Sequence, residues 1–163
     1  MGTEVLRFKI ELYATMWDQA PHVDIIIDGQ SKIKERVHQS ISAPHIFEFT
    51  HELEEGKEHE LILKRSNKLK GQTLIDNDGK ILKDQLLHIK RIEIDEIDLG
   101  SMIFEGVFTP DYSTASNMWY NQMKNKGNEP PKEFKNCTAL GHDGEWKFTF
   151  ESPFYMWLLE NLY

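Results

Sequence analysis

Between Thr73 and Leu87 the chain reads TLIDNDGKILKDQLL, setting Asp76, Asp78 and Asp84 between two apolar runs. Calcium takes ~6–8 oxygen ligands, chiefly carboxylates and carbonyls, so a site for it needs several acids on a tight loop whose carbonyls can turn inward. The Asp-Asn-Asp-Gly run supplies two carboxylates and a bend, and Asp84 closes the loop from its far side. An EF-hand is excluded: that loop has glycine sixth and a bidentate glutamate twelfth, whereas here Gly79 is fourth and Leu87 stands at the twelfth place. The same residues also spell an Asp-Gly turn, with carboxylates bonded to the local backbone. Spacing alone leaves both readings, a calcium loop and a solvated turn.

Aromatic side chains offer a second chemistry. Pyranose C–H groups stack on aromatic faces beside a few directed hydrogen bonds, and the candidates for such a sugar-binding face are Trp17, Tyr112, Trp119 and Tyr120. Trp17 and Trp119 also suit the packing of a thin loop onto the sandwich. Trp146 and Trp157 sit among apolar neighbours and are expected inside. Catalytic patterns are missing: the seven histidines are scattered, and no HExxH, GxSxG, phosphate loop or GxGxxG occurs. Cys137 has only Lys135 close by to activate it, so an inert thiol is expected. The reading is a binding protein and not an enzyme.

The elements that must position these residues are strands. From Leu6 to Ala14 apolar and polar residues alternate, the period of a strand with one wet face. Val23 to Ile27 ends at Asp28-Gly29, a hairpin signal, with a return expected through Ile33 to Ile41. Phe47 to Thr50 and Glu58 to Lys64 flank the polar turn Glu54–Lys57, which reads as a second hairpin. LLHIKRIEIDEIDL, from Leu86 to Leu99, changes phase twice, which implies bulges or a bend. Residues 105–137 read as an excursion from the sheets, with a short helix or ordered loop at 113–126, and Trp146, Phe148 and Phe150 mark a terminal strand. Ser152-Pro153 reads as a helix cap followed by proline at the first helical position, before a short apolar helix from Phe154 to Leu162. The pattern predicts an all-β antiparallel sandwich in a single domain, 1–163, with core strands in 5–104 and a returning segment in 138–163.

A length of 163 residues suffices for a self-supporting core. The net charge of −8 argues against nucleic acid, which is bound by lysine and arginine displacing counterions. No apolar run approaches the ~18 residues that cross a bilayer, and the N-terminus lacks a basic region followed by an apolar core, so neither membrane insertion nor a signal peptide is expected.

Residues 5–100 resemble the small calcium-dependent carbohydrate-binding modules that recognise xylan and related polysaccharides. The matching stretches are FKIELYAT, VDIIIDG, Asn77-Asp78, Asp84-Gln85-Leu86-Leu87 and IKRIEIDEIDLG. The resemblance implies a jelly-roll-like sandwich, calcium as cofactor on Asp78 and Asp84 with Asp76 as a third ligand, and sugar hydroxyls completing the shell. Gln85 and Leu86 stand where those modules carry an Arg-Asn pair. Over most of its length, through KDQLLHIKRIEIDEIDL and LGHDGEWKFTFESPFYMWLLENLY, the chain also resembles uncharacterised proteins of contractile-tailed marine cyanobacterial phages. That likeness implies a virion protein, or one in the host cytoplasm after synthesis, whose partner is a host-surface polysaccharide or another virion protein.

Overall fold

Alternation in the first segment makes β1 (Thr3–Thr15), a strand whose Leu6, Phe8, Ile10 and Leu12 point into the core. The computed structural model describes residues 2–68, 72–78, 80–113 and 118–162, with residues 118, 119 and 122 described by backbone alone. After β1 come β2 (His22–Ile27) and β3 (Gln30–Arg36), joined as expected by Asp28-Gly29, both at positive φ. The third strand stops at Arg36, short of Ile41: the Val37 N–H still donates to the Pro21 carbonyl, but proline has no N–H with which to continue the ladder.

Next are β4 (His45–Glu54) and β5 (Glu58–Ser66). They do not form the expected hairpin. β4 pairs with β1, while β5 pairs with β2 and with β13 (Gly144–Glu151), so the turn at Gly56 crosses from one sheet to the other. Alternation tells which face is buried but not which edge is paired, and both strands present an apolar face to the same interior.

Beyond β5 a short hairpin, β6 (Leu74–Ile75) with β7 (Ile81–Lys83), stands apart from the two main sheets. β8 (Leu86–Ile94) pairs with β1 through a register shift opposite Glu11 and Leu12, the first phase slip in the sequence, and turns at Asp95-Glu96 into β9 (Ile97–Asp98), the second. A 3-10 helix, Gly100–Glu105, then leads to Gly106, where an added Cβ would stand 2.2 Å from the Trp146 ring. Only glycine lets the backbone lie that close to the indole.

The segment 105–137, expected outside the sheets, instead contributes β10 (Val107–Pro110), paired with β13, and β11 (Phe134–Lys135), paired with β10. Between them lies α1 (Met118–Asn125). These strands are four and two residues long, too short for their alternation to register. β12 (Ala139–Leu140) closes the first sheet against β8.

The result is an antiparallel β-sandwich: β12-β8-β1-β4 with β9 beside β8, facing β11-β10-β13-β5-β2-β3. Phe8, Phe148 and Phe150 are almost wholly buried between the sheets, each contributing roughly 1.5–3 kcal/mol by burial. The helix α2 (Phe154–Asn161) follows β13, but Ser152 does not cap it. The carboxylate of Glu4, reaching over from β1, accepts the Phe154 N–H at 2.8 Å and the Ser152 hydroxyl. Among the described residues no helix is long and apolar enough to cross a membrane.

Candidate functional site

The acidic stretch divides between the two ends of the β6–β7 hairpin. At its tip Asp76 Oδ1 accepts the backbone N–H groups of Asp78 and Lys80, both at 2.9 Å, the local bonding that lets aspartate hold a turn. Asp78 is exposed, and its carbonyl accepts Lys126 Nζ at 3.0 Å. Gly79 lies outside the described residues.

At the base of the hairpin Asp84 is held differently. Its Oδ1 accepts Lys68 Nζ at 2.8 Å, the Thr73 hydroxyl at 2.5 Å and the Gln85 N–H at 2.8 Å. Lys68 is only 4% exposed. Its ammonium also donates to the Gly141 carbonyl, and its backbone N–H donates to Asp143 Oδ1 at 3.0 Å. Arg65, fully buried beside them, donates to the Leu140 carbonyl and to Gln85 Oε1, and Gln85 Nε2 donates in turn to the Gln19 carbonyl. Two buried cations therefore stand among two carboxylates, and the network ties the chain after β5 to the loop 140–143 and to the start of β8.

Burial explains how these groups titrate. It lowers Arg65 to about 10 against the pull of Asp143 and Asp84, and it lowers Lys68 while Asp84 acts to raise it. It raises Asp143, opposed by the Lys68 N–H and the Arg65 charge. His142 is lowered to about 4, first by burial and then by the nearby Lys68 charge, and so is neutral at physiological pH.

Of these groups Lys68, Asp84 and His142 line a pocket of about 220 Å3. Asp84, Lys68 and His142 supply polarity, while Ile81, Leu86 and Phe134 supply apolar wall. Among the described residues all three hydrogen bonds to Asp84 fall on Oδ1, so Oδ2 is the oxygen placed to accept from a ligand. Cys137 also lines the pocket, but burial raises its thiol and its Sγ–H donates to the Ala139 carbonyl at 3.1 Å.

Two of the four aromatic candidates come together beside this pocket. Tyr112 packs on Tyr120 with ring centroids 4.8 Å apart and meets the His142 ring edge-on at 5.3 Å. Its hydroxyl donates to the Pro131 carbonyl at 2.7 Å. Trp17 does not join them: its indole N–H donates to the Gln72 carbonyl at 2.9 Å, and Lys83 Nζ lies over its ring. Trp119 lies in the first turn of α1, and its side chain lies outside the described residues.

Sequence reasoning missed Arg65, Lys68 and His142. Arg65 did carry a signal, since it falls in phase with the buried Leu61 and Leu63 of β5. Lys68 follows the strand end with no pattern to mark it.

No family model and no curated protein matches the chain. Two solved structures do, both of vCBM60. One, a selenomethionine form described with an evolutionary link between two families of calcium-dependent carbohydrate-binding modules, is 10% identical with a TM-score of 0.52, over 88% of this chain and 89% of that one. The other, vCBM60 in complex with galactobiose, is 10% identical with a TM-score of 0.51, over 87% of this chain and 96% of that one. The fold is thus similar to that of carbohydrate-binding modules.

The residues expected to hold calcium do not fit it. Among the described residues no three histidine, cysteine, aspartate or glutamate side chains gather about one point. Asp84 Oδ1 is already filled by an ammonium, a hydroxyl and an amide, and a divalent ion there would meet the charges of Lys68 and Arg65.

Proposed function

We propose that the protein is a non-catalytic carbohydrate-binding sandwich that takes a neutral glycan at the pocket beside Asp84 and His142. The observation that carries this reading is the pocket itself, where one carboxylate oxygen and one neutral imidazole face apolar walls at the end of a carbohydrate-binding-module fold. A volume of about 220 Å3 is below the ~300–1,000 Å3 of drug-sized sites and suits one sugar ring or a chain end. Asp84 Oδ2 accepts a sugar hydroxyl, and Leu86 and Phe134 cover its C–H face. Tyr112 and Tyr120 extend the surface past His142, while Trp17 and Trp119 are the remaining candidates for contact along a longer chain. On a virion, as the likeness to phage proteins suggests, such a site serves attachment to host-surface polysaccharide.

Titration of galactobiose, xylo-oligosaccharides and host polysaccharide fragments into 15N-labelled protein tests the reading. Amide shifts are expected at residues 84–86 and 139–142, reduced at least tenfold in apparent affinity by Leu86→Asp, with no release of reducing ends. Absence of shifts with every glycan at millimolar concentration would end it.

A second reading rests on a separate observation. Along α2, Phe154 and Leu158 are buried, whereas Met156 and Leu159 are 61% and 65% exposed and Leu162 also faces solvent. An apolar strip of this kind suits docking onto another virion protein. Stable complexes with particle proteins that Leu159→Glu abolishes, without any glycan signal, would favour this reading.

A further inference from the structure

We propose that the Lys68 ammonium is the resident cation of the loop assembly beside β12, so that the assembly of Lys68, Thr73, Asp84 and Gln85 with residues 139–143 is independent of divalent metal. The ammonium sits in an oxygen-lined seat made by the Asp84 carboxylate at 2.8 Å and the Gly141 carbonyl. Thr73 and the Gln85 N–H complete the contacts of Asp84, and Asp143 holds the Lys68 backbone from the other side. A carboxylate plus an inward-turned carbonyl is the donor chemistry that hard cations use, here met by a covalently tethered charge. The lysine thereby draws together three segments far apart in sequence, the cross-linking role that a bound ion plays in a loop site.

Charge balance explains why a metal would not join it. The formal charges of Arg65 and Lys68 cancel those of Asp84 and Asp143 within this buried group, and an added divalent ion would leave it strongly positive where screening by water is weak. Removing the lysine charge leaves a net negative group. A tethered ammonium also requires no ion concentration, whereas a bound ion stabilises only by mass action. The inference concerns the cation and stands whether or not the pocket takes a glycan.

Thermal melting of the full chain in chelator and in millimolar calcium tests it, with terbium luminescence as a second probe of metal. The unmutated protein should give superimposable curves and no terbium signal. Lys68→Met, which keeps the volume and removes the charge, should melt about 6–12 °C lower in either buffer. Lys68→Ser, which vacates the seat, should melt lower in chelator and recover part of the loss in calcium. A calcium-dependent rise or a terbium signal in the unmutated protein would overturn the proposal. So would a Lys68→Met variant that melts with the parent, or a Lys68→Ser variant indifferent to calcium. Should Lys68→Ser not fold in chelator, its folding in calcium is the expected result and its failure there the contrary one.

Discussion

The two ends of the β6–β7 hairpin carry the same functional group and use it differently. At the tip, Asp76 bonds only backbone N–H groups within its own turn, and Asp78 stands in solvent. At the base, Asp84 bonds a buried lysine 16 residues back in the chain, Thr73 across the hairpin, and the N–H of its own neighbour. The partner makes the difference: both side chains are partly buried, but Asp84 meets a buried ammonium whereas Asp76 meets only its own turn. In solvent a carboxylate is stabilised by water and its protein partners add little. In the interior it loses that water, and a partner must replace it or the charge becomes costly. Tip and base therefore differ in what their loss should do, although the sequence spells them alike.

The sharpest break in this comparison is at the base. Lys68→Met leaves the partly buried Asp84 without its cation and should cost about 3 kcal/mol, read by urea denaturation. A loss below about 1 kcal/mol, the size expected of an exposed pair, would place the base and tip in one class.

Acid should come next and, of the two ends, act on the base. His142 is held at about 4 against an ordinary 6.5, so between those values the unfolded chain takes up a proton that the native protein refuses. Its contribution is present above pH 6.5 and is lost as pH falls toward 4, up to about 2 kcal/mol at pH 5. Burial also lowers His22, His51 and His88, which act in the same direction. His142→Gln should therefore flatten part of the acid limb of a stability–pH curve, and an unchanged slope would show that the ring is not shielded.

At the tip, Asp76→Ala removes the acceptor of two backbone N–H groups that water can reach, and about 1 kcal/mol is expected in the same denaturation series. Smallest is Asp78→Asn, which should stay within about 0.5 kcal/mol of the parent. A larger loss for either than for Lys68→Met would invert the comparison.

Much of the sandwich was legible without coordinates. β1, β2 and β13 alternate cleanly because one face of each meets the core and the other meets water, and period two is enough to record that. The phase slips near Ile89 and Ile94 recorded a bulge and a turn. Asp-Gly recorded the β2–β3 hairpin because its backbone preference is local. The partner of each strand was not recorded, which is why the Gly56 turn read as a hairpin when it crosses between sheets.

The site was decided almost wholly by tertiary structure. The spacing of Asp76, Asp78 and Asp84 established that acids were available, and the turn at the tip follows from Asp76 itself. Which acid would meet a buried cation depended on the loop 140–143, which approaches Lys68 and Asp84 only once β12 and β13 have found their sheets. A carboxylate's role is set by its solvation and its nearest charge, and both are properties of residues far away in the chain. Composition and periodicity can determine a wet face and a dry one; a buried lysine 2.8 Å from Asp84 comes into being only when the two sheets close.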